Sequence, residues 1–347
     1  MNHPKNVRAA LFGATGYSGL ELMQLIKNHP FIEITHATSR KAAGSCLSEV
    51  FPTLERRRLC APDAVDLASI DLAFLCLPHG GDPGCSMEEA ARLRAAGVAV
   101  VDLSGDYRLK DLNAYMRWYG CAHRYPELVD SAVYGLSEWN RAAVAEAALV
   151  ANPGCYPTCT ALSLWPLFGD DLMRSGSLVI NAMSGVSGAG RGAKVANLYV
   201  EVNESAKAYN PGQKHRHLPE IRQTLTAMAG HSLDQEVVFT PHLIPVNRGI
   251  LTTTYVPLKQ GVTFQQCHAR YRDHYDAAPF VHVLNDGEQV CLRHAVGSNH
   301  VVISLHQADD HGLIVCAAMD NLIKGAAGQA LQNANIMLGF AETEGLL

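Results

Sequence analysis

The sequence predicts an α/β protein with a doubly wound parallel sheet, followed by a second, α+β domain with a mixed sheet. Two observations predict this fold class. Through the first 150 residues, apolar runs of strand length alternate with runs of helical spacing, which is typical of a parallel sheet covered on both faces. Beyond Asn152, strand-like runs follow one another with few helices between them, which favours a mixed or largely antiparallel sheet.

The first domain alternates strands and helices along the chain. Val7–Phe12 is an apolar strand that ends in a glycine-rich turn, and Leu20–Asn28 carries apolar residues at helical spacing. The later elements are predicted at Ile32–Thr38 (strand), Asp71–Leu77 (buried strand), Glu88–Ala96 (helix) and Val98–Leu103 (strand). The residues therefore predict a parallel sheet over about 1–150.

The second domain has a different pattern. Its strands are predicted at Leu178–Met183, Val237–Pro245, Thr252–Leu258, Val281–Val283, His300–His306 and Leu313–Met319. Helical spacing is confined to Thr160–Leu167, to Ile221–Met228 and to the tail, Asn321–Leu338. Two closely packed domains are therefore expected, in agreement with a length of 347 residues.

Composition excludes several classes of protein. The net charge is −5, whereas nucleic-acid-binding proteins carry a basic face. The apolar runs fall short of the roughly 18 residues that a membrane helix needs. Met1–Arg8 lacks the apolar core of a secretory signal, so a cytoplasmic location is expected, without nucleic-acid or membrane partners.

The chain has ten scattered cysteines and no Cys-x-x-Cys pair. Without an export signal, most of these thiols are expected to be reduced, small apolar core residues. We expect one reactive cysteine and nine structural cysteines. No metal site is predicted, because metal-binding cysteine spacings are missing and a lone His-x-His pair is a weak signal.

Gly13, Gly16 and Gly19 form a Gly-x-x-Gly-x-x-Gly turn between the first strand and the first helix. Glycines permit the tight turn and allow backbone amides to approach a pyrophosphate at the helix N-terminus. This context is typical of Rossmann-type dinucleotide-binding domains, although the spacing differs from the usual Gly-x-Gly-x-x-Gly. A glycine-rich turn without a ligand is the alternative.

The end of the second strand discriminates between cofactors. It reads Thr38-Ser39-Arg40-Lys41, with no carboxylate to bind a ribose 2′-hydroxyl. Arg40 is able to form a forked, charge-assisted pair with a 2′-phosphate. The pattern favours NADP(H), the alternative being that Arg40 and Lys41 are only solvated loop residues.

The strongest chemical signal is the segment Asn152-Pro153-Gly154-Cys155-Tyr156-Pro157-Thr158. A thiol at a helix N-terminus has its thiolate stabilised by the dipole and by amide donors, which makes it a better nucleophile. From the pattern alone, a structural cysteine in a turn is an equal alternative.

A base near Cys155 would decide between these alternatives. Lys214-His215-Arg216-His217 places two histidines between cations, just before a predicted helix. Histidine is the usual proton carrier near neutral pH, and the cations disfavour its protonated form while attracting an anionic substrate. A second glycine-rich loop, Ser184–Arg191, follows a strand and suits close approach of the backbone to a ligand.

Seven motifs occur in an order that resembles one family. They are GATGYSG (13–19), TSRKAAG (38–44), DLSGDYRL (102–109), ANPGCYPT (151–158), SGVSGAGR (184–191), HRHLPEI (215–221) and DNLIKGAAGQA (320–330). Together they resemble the N-acetyl-gamma-glutamyl-phosphate reductases, arginine-biosynthetic relatives of aspartate-semialdehyde dehydrogenase. The resemblance covers essentially the whole chain.

The resemblance implies a reaction and a set of site residues. Cys155 attacks an acyl phosphate, hydride from NADPH reduces the thioacyl enzyme, and His217 is the general acid/base, with His215 as the fallback. Arg108 and Arg191 are candidates for holding phosphate or carboxylate oxygens, together with His215. The implied cofactor residues are Gly13, Thr15, Gly16, Tyr17, Ser18, Gly19, Ser39, Arg40, Pro78, His79, Gly80, Gly188 and Asn321.

The resemblance also implies a discontinuous cofactor domain, 1–151 with 320–347, and a catalytic and oligomerisation domain, 152–319, in a homodimer or homotetramer. Two features depart from the family pattern. Cys159 lies one helical turn after Cys155 and offers an off-pathway disulfide. Residues 81–85 lengthen the loop after Pro78-His79-Gly80, which leaves cofactor contacts there open.

Three functions remain as alternatives. The first is reduction of N-acetylglutamyl phosphate, and the second is the same chemistry on an aminoadipyl or aspartyl phosphate. Pocket shape discriminates between these two, since a methylene is worth only about 1–3 kcal/mol in an apolar pocket. The third is a non-catalytic NADP-binding sensor, which has no need of both Cys155 and the histidine cluster.

Overall fold

A computed structural model describes residues 6–168 and 172–347. The prediction that Met1–Arg8 is not a secretory signal therefore concerns mainly residues 1–5, which lie outside the described residues. The described chain divides into two compact units. The first runs to Pro153 and includes Ala326–Leu347, and the second is Gly154–Gly325.

The first unit contains a six-stranded parallel sheet. Its strands are β1 (Val7–Phe12), β2 (Ile32–Thr38), β3 (Leu72–Leu75), β4 (Ala99–Asp102), β5 (Val133–Tyr134) and β6 (Leu149–Ala151). They lie in the order β2-β1-β3-β4-β6-β5, and each neighbouring pair is parallel. The predicted doubly wound parallel sheet is confirmed.

Helices cover this sheet because its strands are apolar on both faces; every residue of β3 is buried. The helices are α1 (Tyr17–Ile26), α2 (Leu47–Val50), α3 (Ser86–Ala95), α4 (Leu112–Tyr119), α5 (Pro126–Ser131) and α6 (Ser137–Ala145). On one face, Phe12 and Leu75 pack with Leu93 of α3. The sequence did not predict β5, β6 or α4–α6, since these elements are too short for a clear periodicity.

The strand order reverses at β1, which has β2 on one side and β3 on the other. Ligands of open α/β sheets bind at such a switch point, beyond the carboxyl ends of the strands. Gly13 follows β1 here, and Thr38 ends β2. The chain after β3 passes so close that a Cβ on Gly13 would lie 2.3 Å from the carbonyl oxygen of Cys76.

The second unit contains a seven-stranded mixed sheet, as predicted. Its strands are β7 (Gly176–Ser184), β8 (Lys207–Ala208), β9 (Gln235–Leu243), β10 (Ile250–Pro257), β11 (Val281–Val283), β12 (Val301–Asp309) and β13 (Gly312–Met319). The order is β11-β12-β13-β10-β7-β9-β8. The β7–β9 and β11–β12 pairs are parallel and the others antiparallel.

One face of this sheet is buried, since burial alternates along β7 and β10. The helices are α7 (Cys155–Leu164), α8 (Tyr199–Val202), α9 (His217–Ala229) and α10 (Phe264–Tyr275). The predicted helices at Thr160–Leu167 and Ile221–Met228 correspond to α7 and α9, whereas the 12-residue helix α10 was not predicted. A capping box of Thr263 and Gln266 begins α10, a signal that the sequence contained.

The tail is helical, as predicted, but not uniformly so. Ile323–Ala327 forms a π-helical turn, and α11 (Gly328–Met337) follows. Within the first unit, the amide of Asn333 on α11 donates to the carbonyl of Gly135 at 2.7 Å and to Asn152 Oδ1 at 3.0 Å. These buried bonds tie α11 to the carboxyl end of β6.

Candidate active site

Cys155 is the first residue of α7. The helix begins after Gly154, which has extended backbone angles (φ −68°, ψ 154°) and makes no side-chain cap, and the first turn has no acidic residue. Cys155 is partly exposed, whereas Tyr156–Leu164 is buried. A partly exposed thiol at a helix N-terminus has the dipole and amide environment that stabilises a thiolate.

Two residues outside α7 hold this turn in place. The backbone amide of Gly154 donates to Glu220 Oε1 at 2.8 Å, and Glu220 is fully buried on α9. Gly325, in the π-helical turn, packs so closely that a Cβ there would lie 2.7 Å from Cβ of Cys155. Sequence reasoning missed both contacts, although Glu220 belongs to the HRHLPEI motif.

Tyr156 brings the predicted histidines to the same end of α7. Its ring makes edge contacts with the rings of His215, at 5.6 Å between centroids, and His217, at 5.9 Å. The two imidazoles contact each other at 4.9 Å. Both histidines therefore contact the residue that follows Cys155, which brings them to the end of α7 that carries the thiol.

The two histidines have different environments. His215 is buried, and burial, with a smaller contribution from Arg216, lowers its pKa to about 4. Its Nδ1 accepts a hydrogen bond of 3.1 Å from the backbone amide of His217. This bond requires an unprotonated Nδ1, so neutral His215 caps the start of α9. His217 is only partly buried.

Tyr209 is a further residue that sequence reasoning missed. Its hydroxyl donates to the hydroxyl of Tyr156 at 2.9 Å, and its ring contacts that of His215 at 5.4 Å. Burial is the main cause that raises the pKa of both tyrosines, with a smaller effect of Cys155 on each. Both hydroxyls therefore stay protonated at neutral pH and place two neutral polar groups near Cys155.

Cys159 has a different role from Cys155. It is fully buried, and its Sγ lies 3.5 Å from Thr252 Oγ1 and 3.7 Å from the carbonyl of Ala317. Burial raises its pKa to about 12, so it stays a neutral thiol. Both cysteines are free thiols in this structure, without the disulfide that the spacing offers.

Asn321 and Gly188 lie together in the second unit. The Asn321 amide accepts from the backbone of Gly249 at 2.7 Å and donates to Ser187 Oγ at 3.0 Å. A Cβ on Gly188 would lie 3.0 Å from Ser184 Oγ. These two predicted cofactor residues thus order the second glycine-rich loop, whereas Arg191 at its end is exposed.

The glycine turn of the first unit fits a dinucleotide. Gly13 has φ +84°, and a Cβ on Gly19 would lie 2.5 Å from the Gly13 carbonyl oxygen. Helix α1 begins at Tyr17 after Gly16, which provides no side-chain cap, and its first turn has no acidic residue. This leaves the helix N-terminus suitable for a pyrophosphate, since nothing anionic competes there.

The residues after β2 lie beside this turn. Thr15 Oγ1 and Ser39 Oγ are 3.1 Å apart, and Gly13 and Ala14 donate to Thr38. Arg40 is exposed, and its guanidinium donates to the carbonyl of Pro83. The structure therefore brings Ser39 to the glycine turn and Arg40 to the loop of residues 81–85.

Pro78, His79 and Gly80 follow β3 at the same edge. The Gly80 amide donates to Asp106 Oδ1 at 2.9 Å, and the His79 ring contacts Tyr119 at 5.0 Å. Arg108 is buried, and its Nε and Nη2 donate to the carbonyls of Asn152, at 2.8 Å, and Leu103, at 2.7 Å. Arg108 thus links the carboxyl ends of β4 and β6.

Two domain families match successive parts of the chain. The semialdehyde dehydrogenase NAD-binding domain family matches residues 8–147, and the semialdehyde dehydrogenase dimerisation domain family matches residues 155–321. An N-acetyl-gamma-glutamyl-phosphate reductase of Heliobacterium modesticaldum is 45% identical over 98% of both chains. Another, from Neisseria gonorrhoeae, is 44% identical over 99% of this chain and 97% of its own.

The chain belongs to the N-acetyl-gamma-glutamyl-phosphate reductase family. Family membership makes it an oxidoreductase of the phosphorylating aldehyde dehydrogenase type, with a domain for a nicotinamide cofactor. The predicted family, fold class and enzyme class are confirmed.

Solved structures show the same fold for this reductase family member at low identity. Aspartate semialdehyde dehydrogenase II of Vibrio cholerae, complexed with ASA, has a TM-score of 0.72 at 17% identity, covering 96% of this chain and 99% of its own. The Candida albicans enzyme with NADP has a TM-score of 0.66 at 16% identity, covering 95% and 98%. Among the described residues, no helix is both long and apolar enough to cross a membrane.

Proposed function

We propose that this protein reduces N-acetyl-L-glutamyl 5-phosphate with NADPH to N-acetyl-L-glutamate 5-semialdehyde and phosphate, a step of arginine biosynthesis. The observation that carries the proposal is Cys155 at the start of α7, with Tyr156 in contact with both histidines. The substrate comes from the names of relatives that are 44–45% identical over nearly the whole chain.

The first half-reaction is acyl transfer. The Cys155 thiolate attacks the acyl carbon and forms a carbon–sulfur bond. The bond between this carbon and the phosphate oxygen breaks, so that inorganic phosphate is released and a thioacyl enzyme remains. We assign Arg108, Arg191 and His215 to the phosphate or carboxylate oxygens of the substrate. Guanidinium groups suit both anions because their donors form a fork.

The second half-reaction is reduction. When bound, the nicotinamide supplies a hydride to the thioester carbon. His217 protonates the resulting oxyanion, and it takes that proton back as the carbon–sulfur bond breaks and the thiolate is restored. His217 suits this role because it is only partly buried, whereas His215 has its pKa lowered to about 4 and stays neutral.

The cofactor preference rests on the end of β2. The residues there are Ser39, a hydroxyl donor, and Arg40, an exposed cation, with no carboxylate to repel a 2′-phosphate. We propose that they hold NADP(H), and that the glycine turn, with Thr15, Tyr17 and Ser18, holds its pyrophosphate. Pro78, His79, Gly80, Gly188 and Asn321 are proposed to approach the nicotinamide half.

We also propose that the two compact units are the cofactor and catalytic domains and that the protein is a cytoplasmic homodimer or homotetramer. The match to a dimerisation domain supports assembly through the second unit. Met183 and Val238, on the less buried face of its sheet, are each 36% exposed. Apolar residues on an open sheet face are typical of an interface between subunits.

The test is a substrate comparison in the phosphate-dependent reverse direction, following NADPH formation. N-acetylglutamate semialdehyde, its one-carbon-longer homologue and aspartate semialdehyde are offered at equal concentrations. The first is expected to lead its homologue by about 10–200-fold in kcat/KM, the range for one methylene. A lead by either of the other two would reassign the substrate, and no turnover with any of them would favour a sensor.

A further inference from the structure

Residues 80–87, which extend from the loop after β3 into the first turn of α3, are anchored at both ends by one carboxylate. Asp106 accepts from the backbone amide of Gly80 through Oδ1 and from that of Met87 through Oδ2, both at 2.9 Å. Asp106 lies after β4 and is fully buried. A buried carboxylate that accepts from two distant amides sets the distance between them, so it shapes the segment that joins them.

Neighbouring side chains hold this carboxylate in place. The Tyr115 hydroxyl donates to Asp106 Oδ1 at 2.6 Å, and the Asp106 amide donates to Ser104 Oγ at 3.1 Å. Burial, with a smaller effect of Asp102, raises the Asp106 pKa to about 6, so the carboxylate is mostly ionised at neutral pH and both oxygens accept. Losing one acceptor here would leave a buried amide without a partner, which is costly.

The middle of the segment contacts Arg40. The carbonyl of Pro83 accepts from the Arg40 guanidinium. Gly84 lies directly beneath that guanidinium, since a Cβ built on Gly84 would overlap it. Gly84 also has φ +77°, and its amide donates to Glu88 Oε2 at 3.3 Å. The place of the Arg40 guanidinium is therefore determined by the backbone of residues 83–84.

We propose that Asp106 is a positioning residue for cofactor preference: it shapes the 80–87 segment, whose Pro83 carbonyl and Gly84 backbone hold Arg40 in place for the 2′-phosphate. This inference rests on the proposed role of Arg40. In this inference, the 81–85 loop orders Arg40 before the cofactor binds. A long side chain such as arginine loses conformational entropy when a ligand orders it, and an existing contact reduces that cost.

The first test is Gly84→Ala. A Cβ at this position displaces the guanidinium, so the NADPH dissociation constant is expected to rise about tenfold while that of NADH changes little. Gly97→Ala is the matched control, because Gly97 has φ +80° but open space around its Cβ position. It carries the same backbone strain without touching Arg40, and the NADPH-to-NADH affinity ratio is expected to be unchanged.

The second test is Asp106→Asn, which keeps the shape but replaces one acceptor oxygen with an amide group that does not accept. The affinity ratio is expected to fall severalfold, with KM for NADPH raised and kcat at saturating NADPH retained. Asp130→Asn, the same exchange at an exposed position of α5, is its control, and the affinity ratio is expected to be unchanged. Thermal unfolding and circular dichroism check that each variant folds, and Gly84→Ala carries the test should Asp106→Asn fail to fold.

The outcomes separate this inference from the proposed cofactor preference. If Arg40→Ala removes the preference for NADPH while Gly84→Ala and Asp106→Asn retain it, the preference stands and the positioning role is overturned. If Asp106→Asn weakens NADPH and NADH equally, Asp106 is only structural and the inference is overturned. If Arg40→Ala itself weakens both cofactors equally, the proposed 2′-phosphate site is wrong, and the inference fails with it.

Discussion

Helices α1 and α7 begin in the same way but differ in their surroundings. Each follows a glycine in extended conformation, Gly16 or Gly154, without a side-chain cap or an acidic residue in its first turn. Around α1 the first residues are partly exposed, whereas α7 is buried from Tyr156 onward. An open helix N-terminus suits a ligand that dissociates, and a buried one suits a nucleophile that must stay in one place.

The amides at the two helix starts are also used differently. At α7, the Gly154 amide already donates to buried Glu220, and Gly325 closes on Cys155. At α1, the Gly16 amide donates only within the turn, to the Gly13 carbonyl at 3.1 Å. The start of α7 is thus held in place by tertiary contacts within the second unit. The start of α1 in the first unit depends on the local geometry of its turn.

The largest expected effect is that of Cys155→Ser. The serine hydroxyl does not ionise near neutral pH and cannot replace a thiolate stabilised by a helix N-terminus, so turnover should be abolished. NADPH binding, measured by titration, should survive because α1 and its turn are untouched.

Cys159→Ser is the matched control four residues along α7, where the thiol is buried against Thr252 and Ala317. It is expected to keep most of the activity. A loss as severe as that of Cys155→Ser would contradict the assignment of one nucleophile.

The next effect concerns the partner of the thiol. His217→Asn removes the proposed proton carrier while keeping a similar shape, so kcat should fall about 10²–10⁴-fold with little change in NADPH affinity. The pH dependence of kcat should flatten, because the reaction no longer depends on the protonation state of His217.

His215→Asn is the internal control for pH. The pKa of His215 is lowered to about 4, chiefly by burial, so it is already neutral over the working range and does not contribute an acidic limb there. Its loss should leave the pH dependence of kcat in place. Abolished catalysis in His215→Asn, with His217→Asn still active, would exchange the two roles.

A smaller effect tests the residues after β2, which follow the strand beside the turn that begins α1. Arg40→Ala removes a charge-assisted partner worth about 1.5–3 kcal/mol, so NADPH should bind about 10–140-fold more weakly while NADH is hardly affected. Isothermal titration with both cofactors measures the ratio. Equal weakening would show that Arg40 serves the fold and not the 2′-phosphate.

The smallest effect tests the buried helix start. Glu220→Gln turns a charge-assisted bond to the Gly154 amide into a neutral one, which should lower the free energy of unfolding by about 1 kcal/mol, measured in urea. Glu236→Gln, at an exposed position of β9, is the control and should change stability by less than about 0.5 kcal/mol. An unchanged stability in Glu220→Gln would mean that the turn is held by packing alone.

The sequence by itself determined the fold class, the glycine turn and the family. Alternating apolar runs depend on neighbours in the chain, and the turn at Gly13 requires glycine for local backbone reasons, so both are visible without tertiary structure. The motif around Cys155 predicted a helix N-terminus for the same reason. Helix α10 was missed although its capping box and its buried Phe264, Cys267 and Tyr271, which follow helical spacing, are local signals in the sequence.

Only the tertiary structure decided what surrounds these local motifs. The contact of Tyr156 with both histidines joins residues about 60 positions apart, and the bond from Gly154 to Glu220 spans a similar distance. The lowered pKa of His215 comes mainly from burial, which no neighbour in the sequence reveals. Likewise, Asp106 meets Gly80 and Met87 only because β3 and β4 are adjacent in the sheet. Local patterns specify backbone geometry, whereas the burial and partners of a side chain are properties of the packed chain.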